Sequence, residues 1–268
     1  MNGATRVLRC TALLAGHTLR EAWRQRAPAW LAALAAAFAG GAWLLRDVNF
    51  GASELKFLLD AGFAAQAFFG AVLAIVATAQ PFFAALDRGS IQMVLARPVR
   101  RGEFIAGHLG GVLLLLLGFC AVVTTVLATL LWWREAALLR ADPGAFAAGR
   151  HVPYAGLAWA GLAQWLRLGV LAAITMLVAS YARSALFTIL TAFGAWVAGQ
   201  LQHLAPARPG AWLLGVIVPD LHRFDLTDQI SAGGAVPAAQ IAGLAAGAAV
   251  YVAAFGVLAA CCFQHRDL

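Results

Sequence analysis

Lysine is almost missing from this chain. Lys56 alone represents it among 268 residues, within Glu54-Leu55-Lys56-Phe57, so no glycine-rich turn ends in Lys-Ser or Lys-Thr. A phosphate-binding loop of that kind is thereby excluded. No His-Glu-x-x-His helix and no Gly-x-Ser-x-Gly elbow occurs either, which removes support for a zinc protease or an elbow-type serine hydrolase. Cysteine is scarce. Cys10, Cys120, Cys261 and Cys262 include none at metal-ligand pair spacing, and three lie in apolar stretches, so they read as core thiols rather than a disulfide framework. Charge is scarce as well, at 12% of residues against 62% hydrophobic, with a mean hydropathy of +0.80. That balance excludes an ordinary soluble domain and defines a polytopic membrane protein. The net charge of +7 then reflects which side of a membrane the charges occupy, not a nucleic-acid partner.

What is present is a series of apolar runs. Residues 5–26 carry five Arg with Leu8, Ala12, Ala15, Leu19 and Trp23 at helical spacing, and predict an amphipathic helix in the cytosolic interface. Spans are expected at about 29–45, 61–84, 105–131, 156–180, 185–204 and 238–263. Glu54, Lys56 and Asp60 fall in a polar loop after the first span. Trp132-Trp133-Arg134 closes the third as an interface anchor, and 134–153 reads as an external loop. The short Tyr181-Ala182-Arg183-Ser184 makes the fourth and fifth spans antiparallel neighbours. The apolar run 211–218 is too short to cross about 30 Å of hydrocarbon, so 205–237 is expected to hold a re-entrant or interfacial helix and an external loop. Gly243 and Gly247 on the last span suit close helix packing.

Charge sidedness agrees with an even number of spans. With both termini inside, the cytosolic segments hold Arg6, Arg9, Arg20, Arg24, Arg26, Arg88, Arg97, Arg100, Arg101, Arg183 and Arg266. The external ones hold Arg46, Lys56, Arg134, Arg140, Arg150, Arg208 and Arg223, and most of the acids. The external loops are therefore close to neutral and the excess positive charge faces the cytosol. The expected architecture is all-α, with six transmembrane helices in an inner (plasma) membrane.

One polar island stands between the second and third apolar runs: Asp87-Arg88-Gly89-Ser90-Ile91-Gln92-Met93-Val94-Leu95-Ala96-Arg97-Pro98-Val99-Arg100-Arg101-Gly102-Glu103-Phe104. Its arginines put it on the cytosolic side. Ser90 can cap a short helix whose Ile91, Val94 and Leu95 share one face, and Arg97-Pro98 ends that helix.

This stretch resembles the loop between the second and third spans in permease subunits of ATP-binding-cassette exporters of the type-two integral-membrane family. The matching residues are Asp87, Arg88, Gly89, Ser90, Leu95, Arg97, Pro98, Arg101 and Glu103, followed by Gly107 and Gly110-Gly111. Two positions depart from the pattern, with Asp87 where Glu is commoner and His108 where Lys is commoner. The local match covers about 25 residues, and the hydropathy layout extends it over 1–268 as a single transmembrane permease domain, with 5–26 as its elbow helix. The resemblance implies that 87–104 is a coupling helix docked on a separate ATPase subunit, which would bind ATP and Mg, while this chain holds no cofactor and no metal. Gly89, Arg97 and Glu103 would then transmit the stroke, with Ile91, Val94 and Leu95 as the docking face. A second copy or a paralogue would complete the pathway.

Candidate path residues are the polar and aromatic groups of the second and fifth spans: Gln66, Phe69, Thr78, Gln80, Thr188, Thr191, Phe193, Trp196 and Gln200, which suit an amphipathic or lipid-like cargo or simply pack helices. Arg167 lies inside the fourth span beside Gln164. It reads first as a side chain snorkelling from near the external end of a tilted helix, and second as a functional contact, since an Arg at mid-span costs at least about 2.5 kcal/mol. Asp220, Asp225, Asp228 and His222 read as a solvated loop before they read as a metal site. By the same resemblance, Pro219, Phe224 and Asp225 would shape an external gate. Two functions stay open: export of a solute, or transmission of the ATPase stroke to an extracytoplasmic (periplasmic) partner. An intramembrane enzyme with scattered groups ranks third.

Overall fold

The computed structural model describes residues 27–44, 54–87, 101–141, 153–202, 219–231, 234 and 236–265, together with Leu13, Ala15, Gly16 and Arg20. Among these residues every regular element is a helix. The long elements are α1 (Ala27–Leu44), α2 (Glu54–Asp87), α3 (Arg101–Ala141), α4 (Tyr154–Tyr181) and α5 (Ala185–Leu201). A 3-10 turn, Leu221–Phe224, and the short α6 (Thr227–Ser231) then lead to α7 (Ala238–Gln264). Four helices, α2, α3, α4 and α7, are long and apolar enough to cross a membrane, and α5 is a shorter apolar helix of 17 residues.

Two boundaries differ from the sequence expectation. Glu54, Lys56 and Asp60 lie in the first turns of α2 instead of a loop, and α3 runs eight residues past Trp133 through Arg134 and Glu135 to Ala141. At about 1.5 Å per residue α2 is roughly 50 Å long and α3 roughly 60 Å, so both outlast about 30 Å of hydrocarbon. Polar residues at their ends therefore mark where the helix leaves the apolar zone, not where it stops. The buried Glu135 accepts a 2.6 Å bond from Tyr154 Oη, which pins this extension to the start of α4.

The hub is α4, which touches α2, α3, α5, α7, the 3-10 turn and α6. Its sequence explains this position, because small residues let neighbours approach on every side. At Gly161 an added Cβ would sit 2.6 Å from Thr124 Oγ1 of α3. One core cluster joins Leu73, Ile75, Leu116, Phe119, Leu168 and Leu171 from α2, α3 and α4. The turn after α4 is as tight as expected: Ala182 N–H bonds to Val178 O at 2.9 Å and Ser184 Oγ caps α5 by accepting from Phe187 N. Gly243 and Gly247, in contrast, have nothing within 4 Å of an added Cβ, so their helix face packs on no other part of the described chain.

The ends of α2, α3 and α7 nearest Asp87 and Arg101 close around aromatic rings. Phe82 lies 5.8 Å from Phe263 and 6.4 Å from Phe104 by ring centroid, and Phe104 stacks on both His108 and Phe263. His108 Nε2 donates to the Thr78 carbonyl at 3.0 Å, next to the helix turn that Pro81 deprives of a donor. An imidazole suits this buried spot beside a carbonyl better than an ammonium, which would have to be desolvated. Arg101 Nη1 donates to the carbonyls of both Phe263 and Gln264 at 3.0 Å, with the guanidinium 5.8 Å over the Phe263 ring. The foot of α3 is thus fastened to the carboxyl end of α7, where the helix dipole favours a cation.

Candidate functional site

Toward the opposite end of the bundle, the 219–231 segment packs across α2, α4 and α5. A cavity of about 450 Å³ lies there, lined by Asp60, Phe63, Ala64, Ala67 and Phe68 of α2, Gln164 and Arg167 of α4, Trp196 and Gln200 of α5, and His222, Asp225, Thr227 and Asp228 of the crossing segment. Each contribution has helical logic. Residues 60, 63, 64, 67 and 68 form one stripe of α2, 164 and 167 are one turn apart, and so are 196 and 200. The crossing segment is held by local polar contacts. Asp220 accepts from His222 N–H at 3.1 Å and pairs with Arg223 at 3.3 Å, while Asp225 Oδ1 accepts from Thr227 N–H and Oγ1 at 3.1 and 2.6 Å. Gly199 admits it, since an added Cβ would lie 2.9 Å from Leu221.

Arg167 stands at the middle of the 28-residue α4 and is 3% exposed. It does not snorkel out of the bundle. Nη1 donates to Gln164 Oε1 at 3.4 Å, and Nε has no partner. The Trp196 Nε1 and Asp60 Oδ1 atoms that belong to the same lining are also buried without a partner. Aromatic rings complete the wall: Phe68 meets Trp196 edge-on at 6.1 Å, Phe69 lies behind Phe68 at 5.4 Å, and Phe193 packs on Trp196 at 5.4 Å.

Of the residues singled out from sequence, Arg167, Trp196, Gln200 and Asp225 line this cavity, and Phe69, Phe193, Pro219 and Phe224 pack around it or behind its crossing segment. Gln66 does not. It is fully buried between α2 and α3, bonded to Cys120 O and exchanging hydrogen bonds with Thr124. Thr78 and Thr188 return their hydroxyls to the backbone at Ala74 and Ser184. Gln80 is exposed, and neither it nor Thr191 belongs to the lining. Asp87 ends α2, and Arg101 and Glu103 belong to the first turn of α3. Arg88, Gly89, Ser90, Ile91, Val94, Leu95, Arg97 and Pro98 lie outside the described residues, as do most of 5–26 and all of 211–218. Asp60, Phe63, Phe68, Thr227 and Asp228 were missed as site residues. The stripe on α2 was readable by spacing, but Asp60 had been assigned to a loop. Among the described residues no group of three or more His, Cys, Asp or Glu is arranged to hold a metal ion.

The architecture defines a multi-pass helical membrane protein. A family model described as "ABC-2 family transporter protein" matches residues 20–203, and the chain belongs to that family. It is a membrane component of an ATP-binding-cassette transporter. Members of this family lack an ATPase domain of their own and pair with ABC ATPase subunits. A search of curated proteins finds no match.

Proposed function

We propose that this chain is the transmembrane half of an ATP-driven exporter, with six spans and both termini in the cytosol. Two copies, or this chain and a paralogue, would enclose the pathway. Separate ATPase subunits, which bind ATP and Mg, dock on 87–104. One observation supports this reading above others: α2 is an unbroken helix whose last residue, Asp87, opens the docking stretch and whose first turns, at Asp60 and Phe63, form the wall of the cavity. A displacement imposed at one end is carried to the other by a single rigid element, with Pro81 as the place where it can bend. Arg101 ties α7 into the same movement through Phe263 and Gln264. Closing of the ATPases would thus change the cavity by a rigid-body shift between two packed states. The cavity favours export over transmission to an extracytoplasmic partner, because a lined cavity of this size is within the range of small-molecule sites, roughly 300–1,000 Å³.

The test is co-purification of the chain with its ATPase from detergent, for wild type and for a deletion of 90–98. Retention of the ATPase by wild type and its loss from the deletion is the expected result. Wild type that purifies without any ATPase under every nucleotide condition would refute the reading.

A further inference from the structure

Buried polar atoms without partners are uncommon, because each forfeits about 1–3 kcal/mol of solvation. Among the described residues four side-chain atoms are in this state, and three of them, Asp60 Oδ1, Arg167 Nε and Trp196 Nε1, belong to the lining of one cavity. Chance scatter over the bundle would not gather them. Two are donors, on α4 and α5, and one is an acceptor, on α2. The two signs share no hydrogen bond: the one hydrogen bond of Arg167 among the described residues goes to Gln164, and Asp225 and Asp220 act on its guanidinium only through space. Asp225 and Asp228 add carboxylates to the same lining, while Phe63, Phe68 and Trp196 supply apolar wall. A purely anionic ligand would meet three carboxylates and a purely cationic one would meet a buried guanidinium. Only a molecule carrying both charges is complementary to both signs.

We propose that this cavity binds a zwitterion, with its anionic phosphate or carboxylate on Arg167 and Trp196 Nε1 and its ammonium on Asp60, flanked by Asp225 and Asp228. A planar guanidinium recognises either oxyanion through paired N–H groups, and the edge-packed rings accept an adjoining apolar portion. The ligand chemistry is that of an amino-phosphate, whether a lipid headgroup or a soluble molecule. The proposal deepens the exporter reading by naming what the path receives; it rests on that reading for the direction of movement and not for binding.

The experiment uses the full chain in detergent, equilibrated with equal amounts of phosphatidylethanolamine and phosphatidylglycerol of the same acyl composition, with retained lipid counted by native mass spectrometry. Wild type should retain the ethanolamine lipid about tenfold over the glycerol lipid, the ratio expected for one charge-assisted contact. Asp60→Asn should bring the two close to parity, and Arg167→Lys, which keeps charge but loses the fork, should lower retention of the ethanolamine lipid by a similar factor. Displacement by soluble phosphoethanolamine would assign the site to a headgroup-sized solute, and persistence would assign it to a lipid; either supports the proposal. Equal retention of both lipids by wild type, the behaviour of annular lipid, overturns it without reference to any variant. So does a preference for the glycerol lipid. Co-purification of the ATPase is measured separately on wild type, so failure of this proposal is distinguishable from failure of the exporter reading.

Discussion

The two ends of the bundle spend their polar groups in opposite ways. Near Asp87 and Arg101 the polar side chains are committed to backbone carbonyls. His108 serves Thr78, and Arg101 serves Phe263 and Gln264, with Phe82, Phe104 and Phe263 filling the space between them. Around Arg167 three polar atoms, Asp60 Oδ1, Arg167 Nε and Trp196 Nε1, are buried without a hydrogen-bond partner, on residues that line a cavity. Polar groups at the first end stabilise helix packing. At the second they are held available, which costs stability and is retained where a ligand or a second conformation needs it.

Substitutions at the two ends should therefore diverge. The largest effect is expected at Phe82, fully buried against Phe83, Phe104 and Phe263. Phe82→Ala should destabilise by about 3 kcal/mol through the cavity it leaves, since in lipid packing and not water expulsion holds helices together. Thermal unfolding of the detergent-solubilised protein reads this directly, and an unchanged midpoint would mean that the aromatic end is loose. A smaller loss is expected for Arg101→Gln. It removes two carbonyl contacts at a partly exposed position, worth about 1 kcal/mol after solvent screening, and should appear as faster proteolysis at the end of α7. Arg167→Met should have the smallest effect, leaving the midpoint unchanged or slightly raised, because a guanidinium at mid-span costs about 2.5–3.5 kcal/mol on insertion scales, while its one hydrogen bond here goes to a neutral group and Asp225 and Asp220 act on it only through space. A fall as large as that of Phe82→Ala would erase the distinction between the two ends and make Arg167 a structural anchor.

Much of the bundle was legible because lipid imposes simple rules on sequence. The starts and ends of α4, α5 and α7 fall within a few residues of their expected positions, since Pro153, the Tyr181–Ser184 turn and Pro237 punctuate apolar runs too long to be anything else. The errors at α2 and α3 share one cause. Charge marks the edge of hydrocarbon and not the end of a helix, so Asp60 and Glu135 looked like loop residues while they were helical. The candidate site was legible only in fragments. Arg167 stood out by its charge, but nothing local to it distinguishes a side chain reaching outward from one buried at 3% exposure. Gln66 and Thr78 looked like path residues for the same reason that Trp196 did. Whether a polar group in an apolar helix meets a neighbouring helix or a cavity depends on its rotation about the helix axis, and packing sets that rotation.

By itself the sequence determined that the chain is a helical membrane protein and that the stretch around Asp87–Glu103 carries the family resemblance. These follow from composition, run length and local motif, which need no knowledge of neighbours. Only the tertiary structure decided that α4 is the hub and that Asp60, Arg167, Trp196 and Asp225, from four separate parts of the chain, share one cavity. Contacts between residues far apart in sequence arise from how small residues such as Gly161 and Gly199 let helices and loops close on one another, and no linear pattern records that convergence.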